Sequence, residues 1–410
     1  MQQHDILICG GGLVGASLAL ALSQLKFDVA IAEAVPVGRP EQPSFDERTT
    51  ALSNGTQRIF EALGVWPLIA RSATPIRRIH VSDRGRFGFA RIDAGEQGLK
   101  QLGFVVVNRV MGDALWARLR DAGVTVYAPA RVVGLTLDDV YDVTLAESSE
   151  KPRHVTARLV VAADGANSAV RAAAGIEAST RDYRQTAVIA NLVCGKFHEH
   201  VAYERFTADG PIAMLPLPEG RVGLVWIVEP ETAKQLLALS EGEFIERLQS
   251  AFGLRLGRFT QVGKRHGYPL ALTQSKAHCA RRLAVIGNAA QGLHPIAGQG
   301  FNLGLRDAAC LAEVLADAQR DAGGNVDPGH ADVLRRYAEW RDQDRRGIVR
   351  FTDGLVRLFA QRIGPVQAAR NLGMLLFDLS PTAKDYLSRL SLGAAGEIPR
   401  LARGGRLRSS

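Results

Sequence analysis

Near the N-terminus an apolar run, Asp5-Ile6-Leu7-Ile8-Cys9, stops at Gly10, Gly12 and Gly15 in GxGxxG spacing and gives way to an Ala/Leu-rich stretch that reaches Ser23. A short apolar run bounded by turn residues reads as a buried strand, and the stretch after the glycines as a helix. The next apolar run, Val29 to Ala32, ends at Glu33. Together these make a βαβ unit, which commits this part of the chain to an α/β sheet. Gly10 permits the tight turn, Gly12 lets backbone approach a pyrophosphate, and Gly15 allows close helix packing. The helix N-terminus offers free N–H groups to phosphate charge. Glu33 would then accept hydrogen bonds from the ribose hydroxyls of an adenosine. NAD and FAD satisfy this segment equally.

A chain of 410 residues fits two domains plus an extension, and a 46% hydrophobic content supplies a substantial core. The formal charge of +8 comes mostly from Arg, and a basic surface serves nucleic acid, anionic membrane or acidic substrates. Nucleic acid is set aside, because the Arg residues are dispersed and no recognised motif accompanies them. Cys9, Cys194, Cys279 and Cys310 lack the spacing of a disulfide framework or a zinc site. A reducing, cytoplasmic setting and no metal are therefore expected. The apolar stretch from Ile6 to Leu22 carries four glycines and no basic flank, and falls short of the roughly 20 residues a membrane span needs.

Residues Arg158 to Gly165, RLVVAADG, read as a second buried strand ending in a sharp Asp164-Gly165 turn, with Ser168 and Arg171 at the start of a helix. With a glycine loop already committed to the cofactor, Asp164 and Gly165 are placed near its pyrophosphate. Strand-like runs then recur at 187–193, 200–207, 212–217 and 222–228, and Pro216 and Pro218 end the third at a turn. Without intervening helices these runs predict a mostly antiparallel sheet inserted into the α/β frame. Such a sheet can wall a substrate pocket, with Phe206, Met214, Leu215 and Trp226 as candidate lining residues.

A third strand, Leu283-Ala284-Val285-Ile286-Gly287, is followed by Asn288, then by His294-Pro295 and Gly298-Gln299-Gly300, which open a helix at about Phe301. The N-terminus of that helix presents positive potential where a reduced flavin carries negative charge. Three turns of this kind in this order resemble the p-hydroxybenzoate hydroxylase class of single-component FAD monooxygenases, whose signatures are GxGxxG, a DG turn and a GD turn. The resemblance spans nearly the whole chain. It departs at Asn288, where the class usually has Asp, and at Gln291 in place of the common His. Asn keeps the hydrogen-bonding oxygen and drops the charge. GNAAQ followed by LHPIAGQGFNLGLRD, together with DERTTAL at 46–52, YERF at 203–206 and GPIA at 210–213, is similar to the ubiquinone-biosynthesis branch, in particular the 2-polyprenyl-6-methoxyphenol hydroxylases.

The resemblance implies an α/β fold: a Rossmann-like FAD-binding domain, an interleaved, mostly antiparallel β-sheet substrate domain, and a C-terminal helical segment. The corresponding division is 1–75, 98–180 and 271–345 for FAD, 76–97 and 181–270 for substrate, 346–397 for the helices, and 398–410 for a basic tail. FAD is the implied cofactor and NAD(P)H the electron donor, with no nicotinamide domain of its own because no second GxGxxG follows a strand. Oxygen passes from O2 through a flavin C4a-hydroperoxide to a prenylated phenol; the alternatives are a hydroxylase of another ring position of a ubiquinone precursor and a flavin-dependent prenyl-chain reductase of the same fold. Arg48, and with less support Arg109, are placed near the flavin or its phosphates, as are Gly287, Asn288, Gly298, Gln299, Gly300 and Asn302. Pro295 is expected beside the isoalloxazine, and His294 is a candidate base for the phenol. Apolar residues at helical spacing over 349–377, with Arg interspersed, and Arg400, Arg403, Arg406 and Arg408 suggest peripheral contact with the inner face of a membrane. Other proteins of ubiquinone biosynthesis are further candidate partners.

Overall fold

The computed structural model describes residues 2–36, 47–85, 88–147, 151–292, 298–342, 344, 347 and 397–407. Strand Gln2–Cys9, helix Leu13–Ser23 and strand Val29–Ala32 form the βαβ unit. The two strands run parallel, with Ile6 opposite Val29 and Cys9 opposite Ala32. Strand Arg153–Ala162 joins Gln2–Cys9 on its other side, and Leu283–Val285 joins Arg153–Ala162, both parallel. Three strands distant in sequence therefore end side by side, and the turns that follow Cys9, Ala162 and Val285 share one edge of the sheet. Ligands of open α/β sheets bind at this carboxyl edge.

These strands are continuously apolar because both faces are covered. Ile6, Ile8, Leu159 and Val161 join the core that holds helices Leu13–Ser23, Asn108–Asp121 and Gln299–Asp321. Leu7, Val160, Leu283 and Val285 join a second core with residues of the antiparallel strands Ala130–Leu137 and Tyr141–Glu147.

A nine-stranded second sheet holds the remaining long strands. Its pairings are antiparallel except between Arg78–Asp83 and Val201–Thr207, which run parallel. The division expected at 181 and 270 falls inside strands, since Ala178–Cys194 and His266–Ser275 each cross it. The sheet also reaches the first domain's loops: Gln291–Gly292 pairs with Thr273 and Gln274 at its edge. No α-helix intervenes between the strands from Ala178–Cys194 to Arg221–Val228, and two helices, Pro230–Ala238 and Glu241–Phe252, follow the last of them. A capping box between Ser240 and Glu243 starts the second helix, and Phe244, Leu248, Ala251 and Phe252 form its buried stripe.

Strand alternation gives this sheet two different faces. Val188, Ala190, Ile212, Met214, Leu224 and Trp226 pack on the two helices. The opposite face presents Phe206, Ile227 and Ala187 in one cluster and Leu215 and Ala202 in another, against which Ala51 of the first domain packs.

The C-terminal end also needs correction. It is not a free basic arm: Leu401, Ala402 and Leu407 are buried in the same core as the first helix. Arg400 binds Glu313 through its backbone N–H and, at 2.9 Å, through Nε. Leucines interspersed among the arginines make one side of this segment apolar, and acidic residues of helix Gln299–Asp321 neutralise Arg400. Segment 349–377 and residue Arg408 lie outside the described residues.

A Cβ on Gly15 would lie 2.0 Å from the Gly10 carbonyl oxygen. Gly15→Ala is accordingly expected to cost about 1–3 kcal/mol or more and to push the first helix off the turn. Chemical denaturation should read the first effect and loss of bound dinucleotide the second; an unchanged protein would show that the helix can shift freely.

Candidate active site

Two helix N-termini open on the shared sheet edge. Helix Leu13–Ser23 starts at Gly12 and helix Gln299–Asp321 at Gly298, neither with a side-chain cap or an acidic residue in its first turn. Their leading N–H groups are thus left for a ligand of negative charge. The two helices approach closely at Gly304, where an added Cβ would come within 3.1 Å of Val14 and 3.0 Å of the Gly287 Cα. Glu33 is buried beside the first turn, where its carboxylate accepts from Gly11 N at 2.6 Å and from Val35 N at 2.9 Å. Each oxygen retains a lone pair for a ribose hydroxyl.

Asp164 and Gly165 follow the strand beside Gly10, where Ala163 N donates to Cys9 O at 2.8 Å. The Asp164 carboxylate is spent on its own turn, accepting from Ser168 Oγ at 2.5 Å and Val170 N at 3.2 Å. It therefore shapes the turn that faces the ligand. Arg171, buried, ties this turn to the third one by donating to the carbonyls of Ala166 and Ala289, at 3.1 and 2.7 Å. Asn288 is exposed between buried Gly287 and Ala289.

The Gly287 turn is held from below. With φ at +61°, Gly287 donates its N–H to Asp307 Oδ2 at 2.9 Å, and Gln291 donates to the same oxygen at 3.1 Å. Asp307 Oδ1 accepts from Arg341 Nε at 2.7 Å, and both of these side chains are fully buried. Arg341 also bonds Asp344 at 2.5 Å, and Arg306 meets Asp344 at 2.8 Å. Burial works against the charge on Arg341, but Asp307, Cys310 and Asp344 more than offset it and hold the guanidinium protonated well above its ordinary range. Burial pushes the Asp307 carboxyl up, and Arg341 pulls it back. The sequence reading gave Asp307 and Arg341 no role; a charged pair inside a helix pattern was the available signal.

Asn302 stands in the first turns of helix Gln299–Asp321 with both ends of its amide engaged by protein. Its Oδ1 accepts from Ser53 N and Thr56 Oγ1, at 2.9 and 2.7 Å, and its Nδ2 donates to Ala51 O and Gly298 O, both at 2.9 Å. It is a latch between the helix start and strand Thr49–Ser53. Arg48 stacks over the Tyr268 ring, 4.9 Å from its centroid, so it sits where strand Thr49–Ser53 meets the second sheet. Arg109 is half-exposed on the outside of helix Asn108–Asp121, paired with Glu47 at 2.8 Å and Asp113 at 3.7 Å. Gln299 and Gly300 occupy the first turn of their helix. His294 and Pro295 lie outside the described residues.

On the second sheet, Phe206 and Leu215 lie on the face toward the first domain. Met214 and Trp226 do not: both are fully buried in the core against helices Pro230–Ala238 and Glu241–Phe252, which removes them from any pocket. They sit one residue out of phase with the inner face, and alternation alone decides this. Glu204, which the YERF motif contains but to which the sequence alone assigns no role, sits on the inner face instead. Glu204 lies between Ala202 and Phe206, opposite Ala213 and Val81, a charged residue at an inward position.

These features define a flavin-type nucleotide site closed by a sheet domain. The FAD-binding domain family matches residues 3–352, and the chain belongs to it. It is similar to the ubiquinone hydroxylase UbiL of Rhodospirillum rubrum, 38% identical over 98% of this chain and 92% of that one. The 3-demethoxyubiquinol 3-hydroxylase of Escherichia coli is 32% identical over 96% and 99% of the two chains. Among solved structures, p-nitrophenol 4-monooxygenase PnpA from Pseudomonas putida superposes with a TM-score of 0.79 at 18% identity, covering 97% of this chain and all (100%) of that one. The protein is an FAD-dependent monooxygenase, and NAD(P)H is the co-substrate typical of its class.

Arg341→Leu should destabilise the protein by about 3–5 kcal/mol, because it leaves Asp307 as an uncompensated buried charge. Asp307→Asn should cost less, since Asp344 still faces Arg341, and the double variant less than the sum. Urea unfolding of the four proteins measures this; strict additivity would mean the pair is not coupled.

Proposed function

We propose that the enzyme inserts one oxygen atom of O2 into the ring of a 2-polyprenyl-6-methoxyphenol in ubiquinone biosynthesis. The observation that carries the reading is the apolar inner sheet face, with Phe206, Ile227 and Leu215, set against strand Thr49–Ser53 at the start of helix Gln299–Asp321. A flat, lipophilic ring fits between such a sheet and a flavin, and the relatives named as ubiquinone hydroxylases support the substrate class. Among the relatives, one name specifies the 3-position of demethoxyubiquinol, so ring position is the point the experiment must decide.

When bound, FAD supplies the reductive activation of O2. Around it, Glu33 would hold the ribose, and the N–H groups after Gly12 would meet the pyrophosphate. Asn288 would bond the ribityl chain, and the N–H groups after Gly298 would face the ring edge that gains negative charge on reduction. Asp307 and Asn302 keep these groups in place, and the second sheet excludes water from the ring. A prenylated substrate resides in the bilayer. Among the described residues no helix is long and apolar enough to cross a membrane, so the reading includes peripheral contact, or delivery by other proteins of the pathway.

The test is the visible spectrum of the purified protein, its bleaching by NAD(P)H, and oxygen uptake with a short-chain 2-prenyl-6-methoxyphenol against the matching demethoxyquinol. Flavin absorbance with faster oxygen use and a hydroxylated product from the first compound is the expected result. Turnover of the second alone would move the reaction to the other ring position, and reduction without hydroxylation of either would overturn the reading.

A further inference from the structure

The inner face of the second sheet is apolar almost throughout, and on it the Glu204 carboxyl has no protein partner among the described residues. Along its own strand Glu204 is flanked by Ala202 and Phe206, and across the sheet it stands level with Val81 on one side and with Ala213 and Val225 on the other. Ile79 and Leu215 lie on the diagonals. No hydrogen bond or ion pair reaches it among the described residues. It is surrounded by protein yet keeps part of its surface accessible, as a side chain lining an internal hollow does.

This face of the sheet borders the flavin side of the molecule. In the rows on either side of Glu204, the same face is touched by the first domain: Thr49 lies under Gly223, and Arg48 over Tyr268. Ala51, next along that strand, contacts the cluster of Leu215 and lies 3.1 Å from where a Gly298 Cβ would be. Glu204 therefore occupies the middle row between two rows that bear on the edge of the cofactor site. Burial pushes its carboxyl up to about 7, with no charged neighbour contributing. Among the described residues, the other titratable or charged groups on or against this face include Asp83, diagonal to it on strand Arg78–Asp83, His266 in the same row beyond Ile189, and Tyr268 with Arg48 above it.

A native protein keeps an unpaired carboxyl in apolar surroundings at a cost, and a pocket for phenols gives it work. We propose that Glu204 is the catalytic base that takes the phenol proton, so that the ring is attacked as the phenolate. The phenol O–H bond breaks, its electron pair stays on the ring oxygen, and the proton forms an O–H bond on the Glu204 carboxylate. The extra charge on the ring raises its reactivity toward electrophilic oxygen at the positions ortho and para to the phenolate. The two electrons and the O2 come from the monooxygenase reaction itself; the ring carbon that takes the oxygen then loses its hydrogen as a proton to water, the C–H electron pair restores aromaticity, and the Glu204 proton returns to the ring oxygen. This assignment rests on the phenol reading of the substrate.

Glu204→Gln is the variant to make, with Glu204→Asp as the conservative control and His294→Gln as the competitor. Wild-type hydroxylation should rise with pH through about 7, as Glu204 loses its proton. In Glu204→Gln the hydroxylation rate should fall about 100-fold and lose that limb, while flavin content and NAD(P)H oxidation persist and reduced oxygen leaves unproductively. Glu204→Asp should recover part of the rate.

A second readout needs no turnover: the ultraviolet difference spectrum of a 2-prenyl-6-methoxyphenol bound to oxidised enzyme should show phenolate in the wild type and neutral phenol in Glu204→Gln. Phenolate and the pH limb surviving in Glu204→Gln but vanishing in His294→Gln would overturn the proposal in favour of the imidazole. If the wild type ionises the phenol through Glu204 but hydroxylates none, the base assignment stands and the substrate reading fails. If the wild type hydroxylates the phenol and Glu204→Gln does so equally well, the reverse holds. The folded protein should also lose stability relative to Glu204→Gln as pH rises from 5 to 8, because a carboxyl raised to about 7 favours folding while protonated. Equal melting shifts in the two proteins would mean that the carboxyl is not desolvated and would remove the base.

Discussion

The Asp307 carboxylate is the interaction on which the cofactor edge depends. It receives the N–H of Gly287 and the side-chain amide of Gln291 from one turn, and the guanidinium of Arg341 from a later helix. Through the first it fixes a turn in the left-handed region, and through the third it ties that turn to the helix over 331–342. The helix that carries Asp307 starts at the open Gly298 terminus, so the same residue sets where that terminus points. A buried ion pair contributes little net stability when compared with an apolar pair of similar size. Its value here is geometric, since it leaves Gly287, Gly304 and Val14 one arrangement in which to pack.

The other polar fixtures of the site act in the same way. Asn302 uses both its donors and both its acceptors on protein groups, and Arg171 spans two turns by their carbonyls. Asp164 closes its own turn onto Ser168 and Val170. Each belongs to a signature that reads from sequence as ligand-binding, and each is engaged by the protein itself. The groups left for a ligand are mainly backbone N–H donors at two helix starts, with Glu33 and the exposed Asn288. This division suits a flavin, whose phosphates and pyrimidine edge present acceptors along most of its length.

The second sheet shows how one residue of phase separates core from pocket. Met214 and Trp226 serve the helices outside, while Leu215, Phe206 and Glu204 serve the interior. Large apolar side chains on both faces made the strand runs look alike in composition, so the choice of lining residues by size was wrong for two of four. The helices that cover the outer face carry a local signal of their own, the capping box of Ser240 with Glu243 at the start of the second. The docked C-terminal segment was hidden by its arginines, although Leu401 and Leu407 are the residues that place it.

What the chain alone determined is local. Glycine spacing, apolar run length and a terminal acidic residue dictate strand, turn and helix, because steric and hydrogen-bonding rules act within a few residues. From these came the βαβ unit, the Asp164-Gly165 and Gly287 turns, the mostly antiparallel insert and, by likeness of their order, the flavoenzyme class. Only the tertiary structure decided which strand lies beside which, and therefore that three turns from distant segments form one edge. It also decided which face of the second sheet looks inward, and so that Glu204 rather than Trp226 lines the interior. Parallel pairing and sheet facing are set by contacts between residues far apart in sequence, and no window of the chain contains both partners.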